Sequence, residues 1–321
     1  MLEIFYTIRK LYYMILAVIG VPVNLLAIVI LSRGKCGLTA CTTHYLVAMA
    51  TADLLVIITD GILYRISYYY FPGSFLDITP VCSVIYFLSR TTTDCSVWFT
   101  VTFSFDRFVA ICSQKLKTKY CTKKTAAVVL ATTTILLCLK NIPFYFTVGP
   151  VWIINNVPWD CYTKPSYYTD PGWLVFKWLH RVFTPFLPFS LIALLNSLTV
   201  RHILVASRVR KGLRGQNRSD PEMDSRRKSV ILLFSISGSF VILWLVHVIE
   251  FLYYNITDTD PNYYNDSLYI FQHVGIMFRN LSCCTNTFIY GATQSKFREQ
   301  FKSTVSGAVA AITKSIQNLR T

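Results

Sequence analysis

Residues 103–112 read FSFDRFVAIC and place an acid and a base side by side, Asp106 and Arg107, at the end of a long apolar run. On insertion scales an ionised Asp or Arg inside hydrocarbon costs at least about 3 kcal/mol. A chain therefore keeps such a pair in an apolar segment only where the pair reaches water or has a specific role. Which of these holds depends on the class of protein to which the chain belongs.

The composition indicates a membrane protein. Hydrophobic residues make up 53% of the 321 residues and charged residues 15%, whereas a soluble domain usually carries about 25% charged residues. The formal net charge is +15, and many basic residues fall into two intervals, 115–124 and 201–228. Both intervals lie between apolar segments, so the positive-inside rule explains them better than nucleic-acid binding does. We expect a lipid bilayer as a partner and no nucleic acid.

Seven apolar segments are long enough to cross a bilayer, since one crossing takes about 20 mainly apolar residues. The segments cover residues 8–32, 42–69, 79–113, 124–148, 171–206, 226–254 and 266–291. The intervals after the first, third and fifth segments are basic, whereas the alternate intervals carry aspartates, aromatic residues and prolines. That asymmetry predicts an amino terminus outside the membrane and a carboxyl terminus inside.

A shorter helix is predicted after the seventh segment. The stretch SKFREQFKS, residues 295–303, places Phe297 and Phe301 one helical turn apart with basic residues around them. This pattern predicts an amphipathic helix over about 294–306 that lies on the anionic inner leaflet. Residues 1–321 are therefore expected to form one domain, an all-α membrane protein with seven transmembrane helices and a short amphipathic helix.

The stretches predicted to lie outside contain candidate covalent modifications. Of the ten cysteines, only Cys82 and Cys161 fall in these stretches, which suggests one disulfide. Two glycosylation sequons, at Asn255 and Asn265, also lie on the predicted outer side. The sequence contains no zinc-type or catalytic motif, so we predict no enzymatic activity.

Seven spans, an outer amino terminus and the Asp-Arg-aromatic triplet at the end of the third span resemble the rhodopsin-like, class A G protein-coupled receptors. The resemblance covers nearly the whole chain and depends on the order and spacing of several motifs. The matching residues are Asn24, Asp53, Cys82 with Cys161, Arg107, Pro188, Trp244 and the stretch NTFIY from Asn286 to Tyr290. The resemblance implies a plasma-membrane receptor that binds a small extracellular ligand and activates a heterotrimeric G protein on its cytoplasmic face.

Several residues depart from the family pattern. Thr287 replaces the proline of the seventh-span motif, Val246 stands where the sixth span usually has a kinking proline, and Asn196 replaces the fifth-span tyrosine. The possibility of a divergent receptor that does not signal therefore stays open. A seven-helix transporter or channel is the alternative from another class, although the chain lacks the paired halves with broken helices that are typical of transporters.

Within the family, the stretch HRVFTPFLPFSLIALLNS, residues 180–197, looks most like the orphan group of G protein-coupled receptors 139 and 142. That group responds to aromatic amino acids and peptides. Ser89 stands where aminergic receptors hold an acid, so a monoamine ligand is not expected.

At the inner end, the resemblance implies that Asp106 neutralises Arg107 at rest and that Arg107 contacts the G protein after activation. Arg226 stands where many members have an acid that also holds the third-span arginine, which leaves Asp106 as the close partner. Asn286 and Tyr290 belong to the activation motif of the family. We expect a solvent-exposed Asp106–Arg107 pair, worth about 0–1 kcal/mol, and measurable ligand-independent signalling.

Asp53 is the deepest acid of the predicted bundle, and a lone buried carboxylate either takes up a proton or finds a cation. Ser96 and Asn286 occupy the positions at which the family builds a sodium site with this aspartate, and Ser282 can add a hydroxyl. We therefore expect a structural sodium ion and no other cofactor. The alternative is a protonated Asp53 that is hydrogen-bonded to Asn286 and Ser96.

The outer half of the predicted bundle contains many charged side chains. The basic ones are Arg65, Arg90, His180, Arg181, His247 and Arg279, and the acids are Asp60, Asp94 and Glu250. One interpretation is internal pairing, in which Arg90 binds Asp94, four residues away on the same helix. In that interpretation Arg279 binds Glu250, and Arg181 snorkels outward.

The other interpretation is a ligand-binding site formed by these residues and framed by Trp244. Its mixed charge and basic excess suit a carboxylate or a zwitterion with an apolar body. An amino acid, a small peptide or an acidic lipid has this chemistry.

Overall fold

The structure is a computed structural model. It describes the chain except residues 214–220, 258–263 and 319–321. At further positions, mainly within 207–226 and 308–318 and including Arg226 and Asn255, it describes the backbone alone. Within these limits the protein is almost entirely helical, with four short strands in one outer loop.

Seven long helices follow one another along the described part of the chain, and they are called spans one to seven. They are Leu2–Ser32, Ala40–Tyr70, Thr79–Cys112, Lys123–Phe146, Pro171–Ala206, Pro221–Thr257 and Asp266–Thr293. Spans one to six are long and apolar enough to cross a membrane, judged by length and composition. Span seven has 28 residues and many polar side chains.

The helices extend beyond the apolar segments that the sequence predicted. Span one begins at Leu2 rather than residue 8, and span six begins at Pro221 rather than residue 226. At about 1.5 Å per residue, the 31 residues of span one reach roughly 46 Å, more than the roughly 30 Å of a hydrocarbon core. Apolar length detects only the part of a helix that lies in hydrocarbon, which explains the difference.

Span two changes its helical geometry at Ile57–Ile66, where the segment is π-helical. A π-helix forms hydrogen bonds from residue i to i+5 and therefore brings residues five apart together. Asp60 and Arg65 are five apart, and Arg65 Nε donates to Asp60 Oδ2 at 3.0 Å. In a regular α-helix, side-chain neighbours are three or four residues apart. The π segment thus creates this ion pair.

Span five is interrupted at Val182–Phe186, where Thr184 has an extended backbone with φ −153° and ψ 107°. The next residue is Pro185, which disfavours the α conformation of the residue before it and has no N–H to donate. The outer section of the span, Pro171–Arg181, ends with His180 and Arg181 just above this interruption.

The loop between spans four and five folds over the outer face as two short antiparallel strand pairs. Strand β1, Val148–Gly149, pairs with β4, Tyr162–Thr163, and β2, Trp152–Ile154, pairs with β3, Val157–Trp159. Asn155 and Asn156 join β2 to β3 with positive φ angles of 51° and 62°, as a two-residue hairpin turn requires. The predicted Cys82–Cys161 disulfide is confirmed and ties this loop to the start of span three, with a Cα–Cα distance of 6.5 Å.

The helix after span seven is Ser295–Asn318, which is longer than the sequence predicted. Phe297 is buried, and its ring meets that of Tyr290 edge-on at 5.9 Å. Arg298 Nη1 donates at 2.9 Å to the carbonyl oxygen of Gly291, one of the last carbonyl groups of span seven. The start of this amphipathic helix is therefore fixed to the bundle.

One of the two predicted glycosylation sites lies at the start of span seven. Asn265 is exposed, and its Oδ1 caps the helix by accepting from the backbone N–H of Leu268 at 3.0 Å. The side chain of Asn255, near the end of span six, lies outside the described residues. Glycosylation at both positions stays a prediction.

Candidate functional site

A cavity of about 370 Å³, called the outer cavity, lies between spans two to seven and the loop that joins spans four and five. Seven of the predicted ligand-binding residues line it, namely Arg65, Arg90, His180, Arg181, His247, Glu250 and Arg279. Asp94 and Trp244 are not among its lining residues. The charges of the lining are unbalanced, because four arginines face two acids, Asp60 and Glu250.

Asp60 is the central acid of the outer cavity and is 3% exposed. Its carboxylate accepts hydrogen bonds from Arg65 Nε at 3.0 Å and from Asn280 Nδ2 at 2.5 Å. Ser89 Oγ also donates to it at 3.1 Å, and Arg279 Nη2 lies 3.7 Å away. One carboxylate thus forms ion pairs with two guanidinium groups, those of Arg65 and Arg279. The sequence indicated Asp60 only as one of three acids in the outer half, although an acid five residues before a basic residue in an apolar segment is a usable signal for an ion pair.

The predicted pair of Glu250 and Arg279 is wrong, because Arg279 turns to Asp60 instead. Glu250 Oε1 accepts hydrogen bonds from Tyr264 OH at 3.2 Å and from Gln272 Nε2 at 3.3 Å. Neutral donors therefore hold this acid at the cavity wall.

Arg181 points into the outer cavity, so the expectation that it snorkels outward is wrong. Its Nη1 lies 2.8 Å from His247 Nε2, and its guanidinium stacks 4.8 Å from the ring centroid of Phe251. Because a guanidinium can only donate, His247 Nε2 accepts, and the neutral ring carries its proton on Nδ1. That Nδ1 lies 3.9 Å from Glu250 Oε2, which is beyond hydrogen-bond distance.

His180 is the second imidazole of the outer cavity. Its ring meets that of Phe144 edge-on, with the centroids 4.8 Å apart. In the described part of the chain, His180 Nδ1 and His247 Nδ1 are buried without a hydrogen-bond partner. Buried polar atoms are usually paired, so both nitrogen atoms have bonding capacity left for a ligand.

Arg90 has no carboxylate partner among the described residues. Its Nη2 donates to Tyr86 OH at 2.8 Å, and its guanidinium lies 4.8 Å from the ring centroid of Tyr86 and 5.5 Å from that of Phe144. The predicted pairing with Asp94 is wrong, because Asp94 faces span four. There Lys140 Nζ donates to Asp94 Oδ2 at 2.6 Å.

Trp244 lies below the outer cavity and not in its wall, which corrects the predicted frame of the site. It packs with Ile192 and Phe240, and its Nε1 donates to Ser282 Oγ at 3.3 Å. Its ring centroid is 6.2 Å from that of His247. Trp244 therefore contacts a lining residue rather than the cavity itself.

Deeper in the bundle, Asp53 is fully buried and accepts hydrogen bonds from Ser96 Oγ at 2.5 Å and from Asn286 Nδ2 at 2.8 Å. Ser282 is turned away, since its Oγ donates to the carbonyl oxygen of Arg279 at 2.6 Å. Carboxylate and hydroxyl oxygen atoms suit a hard cation, so Asp53 and Ser96 fit a sodium ion. The same hydrogen bonds also fit a protonated Asp53.

At the inner end, the Asp106–Arg107 pair is buried, so the expectation of a solvent-exposed pair is wrong. Arg107 Nε donates to Asp106 Oδ2 at 3.0 Å, and Nη2 donates to the same oxygen. Asp106 is 0% and Arg107 5% exposed, because the start of span two covers the acid, and Cys41 Sγ donates to Oδ1 at 2.9 Å. Tyr290 is also buried, and the side chain of Arg226 lies outside the described residues.

Two departures from the family pattern make hydrogen bonds between spans. Thr287 Oγ1, in span seven, donates to Asn24 Oδ1 of span one at 3.3 Å. Asn196 Nδ2, in span five, donates to Ser237 Oγ of span six at 2.8 Å. Each of these residues therefore joins two spans of the bundle.

Comparison with known proteins agrees with this arrangement. Residues 23–290 match the family described as 7 transmembrane receptor (rhodopsin family). The chain is 26% identical over 312 residues to neuropeptide receptor 22 of Caenorhabditis elegans. The matched region covers 91% of this chain and 68% of that protein. It is 26% identical over 298 residues to human growth hormone secretagogue receptor type 1, and the matched region covers 88% of this chain and 76% of that receptor.

Mouse probable G-protein coupled receptor 142 is 26% identical over 253 residues, which covers 77% of this chain and 60% of that protein. Receptor 142 is thus a relative, as the sequence predicted, but the peptide receptors reach the same identity. The predicted all-α, seven-helix fold is confirmed, and the family consists of receptors rather than enzymes. The chain is a multi-pass membrane protein that belongs to the rhodopsin family of seven-transmembrane G protein-coupled receptors.

Proposed function

We propose that this receptor resides in the plasma membrane, binds a small ligand with an acidic group in the outer cavity, and activates a heterotrimeric G protein. The ligand class is inferred from the unbalanced charge of the cavity lining, which has four arginines and two acids. A ligand carboxylate reduces this imbalance. Relatives named as receptors for neuropeptides, growth hormone secretagogues and FMRFamide support a ligand of amino acid or peptide type.

Within the outer cavity, Arg90 is the best candidate to bind the carboxylate. Asp60 serves Arg65 and Arg279, whereas Arg90 contacts only neutral groups in the described part of the chain. Tyr86 holds the guanidinium in place, which lowers the entropy that binding costs. The unpartnered nitrogen of His247 supplies a further donor.

The size of the outer cavity limits the part of the ligand that enters it. Its volume of about 370 Å³ is near the lower end of the roughly 300–1,000 Å³ typical of ligand pockets. An amino acid or one end of a short peptide fits this volume. The aromatic rings of Phe144, Trp178 and Phe251 in the lining suit an apolar body beside the carboxylate.

For coupling, we propose that an outward movement of span six opens the inner end of the bundle and releases Arg107 from Asp106 to the G protein. The basic inner loops add positive charge around Arg107 on the surface that the G protein contacts. We also propose that Asp53 and Ser96 hold a sodium ion, and that this ion stabilises either the resting bundle or the bundle opened by span six.

A screen of amino acids and short peptides tests the proposal, with each acid compared with its carboxamide and with several G protein subtypes as readouts. We expect the acid to be preferred, and Arg90→Gln to weaken its potency about ten- to a hundredfold, because a charge-assisted hydrogen bond contributes about 1.5–3 kcal/mol. The carboxamide should be equally potent on wild-type receptor and the variant. Lys10→Gln, which removes an exposed outer charge away from the cavity, is the control.

Equal potency of acid and carboxamide on wild-type receptor, or an unaltered acid preference in Arg90→Gln, contradicts the ligand class. Solute flux through receptor liposomes without nucleotide exchange on any G protein contradicts the receptor mechanism and favours the transporter alternative.

A further inference from the structure

A second cavity of about 200 Å³, called the side cavity, lies between spans one, two and seven and the disulfide-bonded loop. Its polar lining includes Arg9, Arg65, Tyr69, Asp77, Asp160 and His273. Tyr64, Arg65 and His273 line both this cavity and the outer cavity, so the two are adjacent. The functional site described above makes no use of the side cavity.

Arg9 is the unusual residue of the side cavity, since it is a base that is only 5% exposed. Its guanidinium lies 5.1 Å, 5.3 Å and 5.8 Å from the ring centroids of Tyr6, Tyr69 and Tyr269. Its Nη1 donates to Tyr269 OH at 3.0 Å. Three aromatic rings from three spans thus surround one cation.

No carboxylate pairs with Arg9 in the part of the chain that the structure describes, and its Nε is buried without a hydrogen-bond partner. The two acids of the side cavity are engaged by backbone groups instead. Gly73 N donates to Asp77 Oδ2 at 2.6 Å, and Cys161 N donates to Asp160 Oδ1 at 2.9 Å. Arg9 is therefore a fixed cation with bonding capacity that the protein leaves unused.

Burial of an arginine removes its hydration, and the stacked rings compensate only part of that loss. An arginine keeps its charge in a protein, so it cannot relieve the cost by losing a proton. Retention of such a charge beside an adjacent ligand cavity is expected when a bound anion completes its coordination. A charged group that is kept at a binding site at the expense of stability is a common feature of functional sites.

We propose that Arg9 is a second anion subsite and that the natural ligand is an elongated, peptide-like molecule with two separated carboxylates. This inference rests on the proposed function. One carboxylate occupies the outer cavity at Arg90, and the other reaches the side cavity and bonds to Arg9 Nε within its tyrosine cage. The shared wall formed by Tyr64, Arg65 and His273 is the passage between the two subsites.

A peptide series tests this inference on the purified full-length receptor. The probes are Glu-(Gly)n-Phe peptides with glycine spacers of increasing length, each compared with its Gln-(Gly)n-Phe analogue and with its C-terminal amide. Binding is measured by the rise in the thermal unfolding midpoint as the peptide is titrated. The receptors are wild type, Arg9→Gln, Arg90→Gln and, as control, Lys164→Gln, whose lysine lines neither cavity.

In wild-type receptor, we expect Glu to bind about ten- to a hundredfold more tightly than Gln at one optimal spacer length. Arg9→Gln should remove this preference and keep the preference for the free C-terminus. Arg90→Gln should remove the preference for the free C-terminus and keep the preference for Glu, and Lys164→Gln should keep both preferences. Without peptide, Arg9→Met should unfold at a temperature no lower than wild type, because it removes an uncompensated buried charge.

A persistent preference for Glu in Arg9→Gln overturns the inference, and so does a marked loss of stability in unliganded Arg9→Met, which identifies Arg9 as an aromatic clamp between spans. A wild-type receptor that prefers the free C-terminus but not Glu overturns the inference alone. A wild-type receptor that shows neither preference overturns the proposed ligand class as well.

Discussion

The ammonium group of Lys140 donates to the carboxylate of Asp94 at 2.6 Å and joins span four to span three. The side chain of Asp94 is 2% exposed and that of Lys140 21% exposed, and Asn141 Nδ2 donates to the same carboxylate oxygen at 2.8 Å. This pair is a specific polar contact between the two spans. The pair fixes which face of span four meets span three.

Lys140→Met should destabilise the receptor by about 3–5 kcal/mol, because it leaves the buried charge of Asp94 without its partner. The double variant with Asp94→Asn should recover most of this loss. The thermal unfolding midpoint of purified receptor and the amount at the cell surface measure the effect. Lys119→Met, at an exposed lysine, is the control. If the double variant is as unstable as Lys140→Met, the ion pair is not the cause.

The Cys82–Cys161 disulfide gives a second prediction. Removal of a native disulfide typically costs about 2–5 kcal/mol, and this one holds the loop that covers the outer cavity. Cys82→Ser and Cys161→Ser should each lower surface expression and weaken the response to ligand. Cys138→Ser, at a free and half-buried cysteine, should have little effect. Normal signalling by both disulfide variants contradicts a role for the bond in the loop.

Much of this architecture is predictable because it depends on simple quantities. Apolar length located the spans, and motif spacing located Asp53, Arg107 and the two bonded cysteines, whereas the orientation read from basic residues in alternate intervals stays a prediction. These signals are local, or they depend on fixed offsets along one helix. They do not require knowledge of which helix faces which.

The ion pairs of the outer half were not predictable in this way. Spacing within one helix suggested Arg90 as the partner of Asp94, yet Lys140 on the neighbouring span is closer to the acid. The contact between Asp60 and Arg65 depends on a π-helical segment, which changes the spacing rule itself. A rule that every charge in an apolar segment needs a partner would have drawn attention to Lys140.

Sodium binding at Asp53 gives a third prediction. Sodium chloride should raise the unfolding midpoint of the purified receptor above that in N-methylglucamine chloride at the same ionic strength, because a bound cation stabilises the folded state. Asp53→Asn should abolish the difference and Ser96→Ala should reduce it. Ser282→Ala should leave it unchanged, since the hydroxyl of Ser282 is turned to Arg279. If sodium does not change the unfolding midpoint of the wild-type receptor, the result favours a protonated Asp53 over a bound sodium ion.

The buried Asp106–Arg107 pair gives a fourth prediction. Removal of one partner of a buried ion pair costs about 3–5 kcal/mol, and about 1.4 kcal/mol corresponds to a tenfold change in an equilibrium. Asp106→Asn should therefore raise ligand-independent nucleotide exchange on the G protein by more than about tenfold at matched surface expression. Cys41→Ala removes only a weak thiol donor to the same carboxylate and should have a much smaller effect.

Arg226→Glu should lower ligand-independent exchange. The new acid stands where many family members hold the third-span arginine. Because Arg107 already donates to Asp106, we expect a change of less than about tenfold, which corresponds to less than about 1.4 kcal/mol. Arg227→Glu makes the same charge change one residue later, at an exposed position, and should leave exchange unchanged. Equal effects of the two variants indicate general charge repulsion at the inner face. If Arg226→Glu has no effect, Asp106 and the packing of span six hold the resting state without a second acid.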